Sequence, residues 1–213
     1  MKNAVKYILL LLITSVLINA CDKKKTTEIT LADLEQYHRE AKELIDDERI
    51  NATINDMSRG LENETPEQQQ AWQIYLQNVE ITNQYGIDYL LTQKGLNVKI
   101  LDIIRDLYYF EQQKGSIGTN EYQYLLDQYR VAREDFKFAF MGFEIYKILK
   151  LKVDQGYYNR QYNIDPIGCA LAVAGTLVTT IGAITVTGGA GLVIWLVSKG
   201  ISTASVIYSC ALS

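Results

Sequence analysis

Side chains that could do chemistry are few in this chain of 213 residues, which has one histidine and three cysteines. His38 could act as a general base, but a zinc site would need further histidine or cysteine ligands, and the polar middle of the chain has none. A carboxylate run such as Asp46 to Glu48, among polar neighbours, is more often a solvated face than an acid–base pair. We therefore interpret His38 as a surface or boundary residue. We predict no catalytic centre, no metal site, no cofactor and no enzyme activity.

Two of the cysteines favour a helical hairpin near the C-terminus. Cys169 and Cys210 lie near the two ends of segment 166–213, and a glycine-rich stretch lies midway between them. A helix over about 168–187 and another over about 191–211 would fold back antiparallel and bring the two thiols together. An exported chain meets an oxidising compartment, where such a pair can form a disulfide; the alternative is two free, buried cysteines. The predicted hairpin turn is formed by Gly188, Gly189 and Gly191.

The third cysteine follows a segment that is typical of secretion. Lys2 and Lys6 give a basic start, and Tyr7 to Leu17 form a short apolar run. Ile18-Asn19-Ala20-Cys21 then resembles the lipobox of bacterial lipoproteins. The resemblance implies cleavage before Cys21 and acyl chains, palmitate among them, on its thiol and amino group, and several chains make such anchoring stable. An ordinary signal peptide with a cysteine nearby is the alternative.

Charge divides the chain into unlike parts. All 25 acidic residues lie between Asp22 and Asp165, and the only charged residue after position 165 is Lys199. The net charge of −4 argues against a nucleic-acid partner, which would favour a basic protein. In chain order we predict a signal peptide (1–20), a polar tether (21–30), an acidic helical module (31–156), a linker (157–165) and a hydrophobic glycine-rich hairpin (166–213).

Apolar residues recur at helical spacing through the acidic module, and no sustained alternation predicts a strand. The sequence therefore predicts an all-α fold, with a helical bundle of about four helices followed by the hairpin. Thr65 is a strong helix start and Thr30 begins a near capping box, because each has an acidic or amide side chain three residues later. The polar stretch from Asn51 to Glu64, which contains Gly60, predicts a loop. The predicted helices run over about 31–45, 66–94, 98–114 and 119–153.

Four glycines of the hairpin recur every seven residues, at Gly168, Gly175, Gly182 and Gly189. Seven residues are close to two helical turns, so these positions share a face that a neighbouring helix can approach closely; coincidence in an apolar tail is the alternative. Lys199 falls midway along the second helix, one turn after Trp195, and both are candidates for a membrane-interface or gating role. A lysine at the bilayer centre costs about 2.5–3.5 kcal/mol. Conditional insertion, after storage against the helical module, is therefore favoured over a permanent span.

Pro166 to Ala174, with Trp195 and Lys199 downstream, resembles the apolar peptide of the sporulation-delaying-protein type of antimicrobial precursor. The resemblance implies that the peptide is released by proteolysis, within Gly156 to Asp165, and collapses the membrane potential of neighbouring cells. Two features depart from that family. Its cysteines lie close together, and its precursor is not typically a lipoprotein.

We expect an exported, lipid-anchored, bacteriocin-like toxin whose glycine-rich hairpin disrupts target-cell membranes. The alternative is a non-toxic structural or partner-docking envelope lipoprotein with a membrane-associated hairpin. The expected location is the bacterial envelope, at the outer membrane or cell surface rather than the inner membrane. The expected partners are the lipid bilayer, a target-cell membrane, a cognate immunity protein and further copies bound through the glycine face.

Overall fold

A computed structural model of the chain describes residues 28–60, 63–154 and 189–202. These residues form helices and no strand, so the all-α prediction is confirmed. The predictions for the signal peptide, Cys21, the linker, the first hairpin helix, Cys169 and Cys210 lie outside the described residues. The helices are α1 (Leu31–Leu44), α2 (Asp47–Ser58), α3 (Pro66–Tyr85), α4 (Ile87–Gln93), α5 (Ile100–Lys114), α6 (Thr119–Tyr129), α7 (Arg133–Asp154) and α8 (Gly189–Ser202).

The two predicted capping boxes are confirmed. The hydroxyl of Thr30 accepts from the backbone N–H of Asp33 at 3.2 Å, and the Asp33 carboxylate accepts from the Thr30 N–H at 2.9 Å. Thr65 and Gln68 make the same exchange at 3.2 and 2.8 Å, with Pro66 as the first residue of α3. Each box satisfies two backbone groups that a helix start would otherwise leave unpaired.

The predicted loop from Asn51 to Glu64 is wrong over its first half, because α2 continues to Ser58. Asp46 caps this helix through its side chain, which accepts from the Arg49 N–H at 3.1 Å. Ile50 and Ile54, one turn apart, are buried. Two core contacts and an N-cap therefore outweigh the polar composition of the stretch.

The module also has more and shorter helices than predicted. The helix expected over 66–94 is divided at Gly86, whose φ of 85° is incompatible with a continuous helix. The helix expected over 119–153 is divided by a left-handed residue, Arg130, with a φ of 46°. Tyr129 ends the first half and donates its hydroxyl to Asp106 at 2.7 Å. The turn brings Val131 into the core.

The helices pack around one hydrophobic cluster. α7 packs against α1 and α5, while α6 contacts α1 and α5. α8 packs against α2, α3 and α1, so it lies against the module that precedes it by a long stretch of sequence. Among the helices that the structure describes, none has the length and apolar character needed to cross a bilayer.

Candidate functional site

α8 carries the candidate membrane residues, and it is buried in the hydrophobic cluster of the module. Five consecutive side chains are each at most 3% exposed: Val193, Ile194, Trp195, Leu196 and Val197. Five buried positions in a row cover every side of a helix, because 3.6 residues complete a turn. A helix that is apolar all round suits a protein core or a lipid bilayer, and here it occupies a protein core.

Ser198 connects α8 to α2 within this core. Its hydroxyl lies 2.7 Å from the carbonyl oxygen of Ile194, one turn earlier, and 3.3 Å from the carbonyl oxygen of Ile50. The side chain is fully buried. The first contact satisfies the hydroxyl within α8 itself, so the helix carries its own hydrogen-bond acceptor into any surroundings.

Lys199 lies at the edge of the same core. Its ammonium forms an ion pair with Glu64, and it lies 5.0 Å from the ring centroid of Trp72 and 4.9 Å from that of Trp195. The Lys199 side chain is 16% exposed. A carboxylate and the faces of two indole rings together offset much of the cost of bringing the cation against an apolar surface.

Trp195 contributes a polar atom that the core leaves unsatisfied. Its indole N–H is buried and has no hydrogen-bond partner among the described residues. A buried donor without an acceptor costs about 1–3 kcal/mol relative to a hydrated one. Burial of the Trp195 rings therefore stabilises the packed position of α8, whereas burial of the indole N–H destabilises it.

The structure describes two of the three glycines predicted to form the hairpin turn, and the turn itself stays a prediction. α8 begins at Gly189, so Gly189 and Gly191 belong to its first turn. A side chain at Gly191 would meet nothing within 4 Å among the described residues, so this glycine faces open space. Gly168, Gly175, Gly182 and Gly188 lie outside the described residues, and their packing role stays a prediction.

A second site is built around the only histidine. His38 is buried, contrary to its interpretation as a surface or boundary residue. Its Nδ1 lies 2.7 Å from the Tyr122 hydroxyl and its Nε2 lies 2.8 Å from Oε1 of Glu144. The ring of Phe140 stacks on the imidazole at a centroid distance of 5.3 Å. α1, α6 and α7 therefore meet at this side chain.

The charge state of Glu144 determines how this network is protonated. Burial raises the pKa of the Glu144 carboxyl, but the hydrogen bond from His38 and the nearby Lys147 ammonium lower it further, so the net shift is downward. Lys147 Nζ lies 2.8 Å from Oε2 of Glu144 and 3.5 Å from Oε1 of Glu111. Glu144 is therefore an anionic acceptor at neutral pH.

An anionic Glu144 fixes the tautomer of His38. In the neutral imidazole the Nε2–H donates to the carboxylate and Nδ1 accepts from the Tyr122 hydroxyl. Burial and the negative charges of Glu35 and Glu144 raise the pKa of Tyr122 to about 12, so the phenol keeps its proton. The imidazole is thereby held in one orientation with both of its nitrogens satisfied.

A cleft of about 350 Å³ opens above this network. α1, the end of α5 and the turn from Gly115 to Thr119 form its walls, and His38 and Tyr122 contribute to its lining. The charged residues of its lining have both signs: Glu35, Arg39, Lys42 and Glu111.

Comparisons with protein-family models, curated proteins and solved structures find no match to this chain. Within the described ranges, no group of three or more histidine, cysteine or acidic side chains could hold a metal ion. Functional inference therefore depends on the contacts of α8 and on the cleft above His38.

The network around His38 escaped sequence reasoning because its members are far apart in the chain. Tyr122 is 84 positions from His38 and Glu144 is 106 positions away. One local signal was present, since Glu144 interrupts an otherwise apolar stretch from Phe138 to Ile145. A carboxylate at that position needs a buried partner, and the single histidine was an available one.

Proposed function

We propose that this chain is an exported, lipid-anchored antibacterial protein of the bacterial envelope. Its C-terminal hairpin is stored against the helical module and inserts into a target-cell membrane on release. The module, α1 to α7, holds α8 against its helices α1, α2 and α3, and α8 is the second arm of the hairpin. The acyl chains on Cys21 hold the stored form at a membrane surface. The observation that supports the proposal most is the burial of an apolar helix among helices that carry the charge.

The apolar side chains of α8 suit it both to the core of the module and to a lipid bilayer. Its buried side chains lose little on transfer from a protein core to lipid, because hydrocarbon tails are as apolar as the core. Ser198 takes its nearest acceptor, the carbonyl of Ile194, along with it. Ser198 therefore keeps an acceptor on transfer, whereas Lys199 loses Glu64.

Lys199 and Trp195 favour opposite states. In the stored state Lys199 has Glu64 and the indole faces of Trp72 and Trp195, whereas at the centre of a bilayer it would keep only Trp195, which lies on the same helix. Trp195 has no acceptor among the described residues, whereas a membrane interface offers its N–H water and headgroup oxygens. Release is therefore a balance that a membrane surface can shift, rather than a process that unfolds the protein globally.

The inserted state requires more of the chain than α8. Its 14 residues would span about 21 Å, less than the roughly 30 Å core of a bilayer. The proposal therefore needs the helix to continue towards residue 211 on insertion. Glycines at intervals of seven would then let the two arms, or further copies, pack closely in lipid.

A vesicle experiment tests the proposal. The mature chain, residues 21–213 with its lipid anchor, is added to phosphatidylethanolamine–phosphatidylglycerol vesicles that hold a potassium diffusion potential. A potential-sensitive dye should show the potential collapse. In parallel, residues 166–213 exported to the periplasm of a sensitive host should stop growth, while exported residues 31–156 should not. If the vesicle potential stayed intact and growth were unaffected, the proposed antibacterial function would be wrong.

The contact between Ser198 and Ile50 favours a second candidate, a non-toxic envelope lipoprotein in which α8 is a permanent part of the fold. In that case the hairpin serves as a structural anchor or docks a membrane partner. Hydrogen exchange distinguishes the two. A permanent core helix keeps its slow amide exchange when vesicles are added, whereas a stored helix loses protection from the module and gains protection from lipid.

A further inference from the structure

The cleft above His38 has the volume of a small ligand site. Its volume of about 350 Å³ lies at the low end of ligand pockets, which hold about 300–1,000 Å³. Its lining residues come from α1, α5, α6 and the α5–α6 turn, and none comes from α8. The proposed storage of the hairpin does not involve this cleft, so any function of the cleft is a separate one.

The floor of the cleft is preorganised for hydrogen bonding. Glu144 orients the imidazole of His38, and Nδ1 of the neutral imidazole accepts a hydrogen bond from the Tyr122 hydroxyl. Tyr122 Oη therefore has its own hydrogen directed to Nδ1, which leaves its lone pairs as acceptors. The high pKa of the phenol keeps the Tyr122 hydroxyl protonated over the physiological pH range. A ligand group that approaches Tyr122 should be a hydrogen-bond donor.

The rim carries both signs of charge in one row on α1. Glu35, Arg39 and Lys42 follow one another at intervals of four and three residues, so they lie on the same face as His38. Among the described residues none of these three forms an ion pair within 4.0 Å. Side chains four positions apart on a helix have Cβ atoms about 5–6 Å apart. An acidic and a basic group are thus presented at a separation that one small molecule can bridge.

We infer that this cleft binds a small zwitterion of the free α-amino acid class. Its ammonium group donates to the Glu35 carboxylate and to Tyr122 Oη, and its carboxylate accepts from Arg39, with Lys42 adding positive charge. The ammonium and the carboxylate on one α-carbon of the ligand match the row of charges on α1, and the volume of the cleft favours a single amino acid over a peptide. His38 acts here as a positioning residue, since it holds the Tyr122 hydroxyl in place.

The single histidine makes the test direct. NMR of the imidazole nitrogens in the mature full-length chain reports His38 alone. Each of the twenty amino acids is titrated separately, with ethylamine, acetate and glycerophosphoethanolamine as probes of the cation, the anion and a lipid headgroup. At least one amino acid should shift the His38 signals saturably at millimolar concentration or below, and ethylamine and acetate should not. Absence of a saturable shift with every amino acid, or saturation by the headgroup probe alone, overturns the assignment.

Matched variants locate the binding groups. Glu35→Gln and Arg39→Gln should each weaken the binding of that amino acid about tenfold, which corresponds to roughly 1.4 kcal/mol. Glu43→Gln, on the exposed side of α1 and outside the cleft, is the control and should leave affinity unchanged.

Tyr122→Phe should weaken binding while Tyr124→Phe, at an exposed position, should not. Since Glu35 and Arg39 lie outside the core, their variants remain informative if Tyr122→Phe does not fold. Equal affinity in Glu35→Gln, Arg39→Gln and Glu43→Gln overturns the inference.

Discussion

Lys199 forms an ion pair with Glu64, 135 positions earlier in the chain, while its ammonium faces the rings of Trp72 and Trp195. This contact joins the one charged residue of segment 166–213 to the segment before α3. It neutralises the charge that most opposes burial of α8. Under the proposed function, this contact is therefore the clearest place to alter the balance between storage and release.

Removing the partner of Lys199 should loosen α8. Glu64→Gln is expected to lower the free energy of unfolding by about 1 kcal/mol, because the pair is only partly exposed. The rate at which the mature chain dissipates the vesicle potential should rise by about fivefold, because about 1 kcal/mol corresponds to about a fivefold change in an equilibrium constant. Urea denaturation and the dye experiment measure the two effects. Glu80→Gln is the matched control, since Glu80 is exposed on α3. If both variants behave as the wild type does, Lys199 is not what retains α8.

The two tryptophans allow α8 to be followed separately from the module. Trp72→Phe leaves Trp195 as the only indole, and because Trp195 is buried its fluorescence should be blue-shifted and shielded from iodide. On addition of vesicles that contain brominated lipid, this fluorescence should be quenched. Trp195→Phe leaves Trp72 in α3, which should show little quenching. Equal quenching in the two variants would mean that the whole protein, rather than α8, enters the lipid.

Core substitutions measure how much α8 contributes to the fold. Leu196 is fully buried, so Leu196→Ala should lower the free energy of unfolding by about 2–5 kcal/mol. Leu151 on α7 is 45% exposed, and Leu151→Ala should change stability by about 0.5 kcal/mol or less. Chemical denaturation of both variants gives the comparison. Similar, small effects would show that α8 contributes little to the core in solution.

Short-range features were predictable from the sequence and long-range contacts were not. Thr30 and Thr65 cap their helices through residues three positions away, so the pattern was visible. Asp46 caps α2 in the same way, but its acidic neighbours suggested a solvated run. The partners of His38 and Lys199 depend on how α1, α7 and α8 pack. Residue spacing carries no information on contacts across more than a hundred positions.

The His38–Glu144 pair should make stability depend on acid. The pKa of Glu144 is lower in the folded protein than its ordinary value of 4.5, so the folded state favours the carboxylate. That stabilisation is fully present above about pH 4.5 and is lost as the pH falls through the lower, folded value.

The comparison of Glu144→Gln with the wild type isolates this effect. At neutral pH the variant should be less stable by about 1–2 kcal/mol, since it lacks a charged hydrogen bond, and the difference should shrink as the pH falls below 4.5. Glu43→Gln, at an exposed position of α1, should show no such convergence. Urea denaturation from pH 3 to pH 7 measures both variants. A stability difference that stays constant across this range would contradict the charged state assigned to Glu144, and with it the tautomer of His38 that directs the Tyr122 hydroxyl.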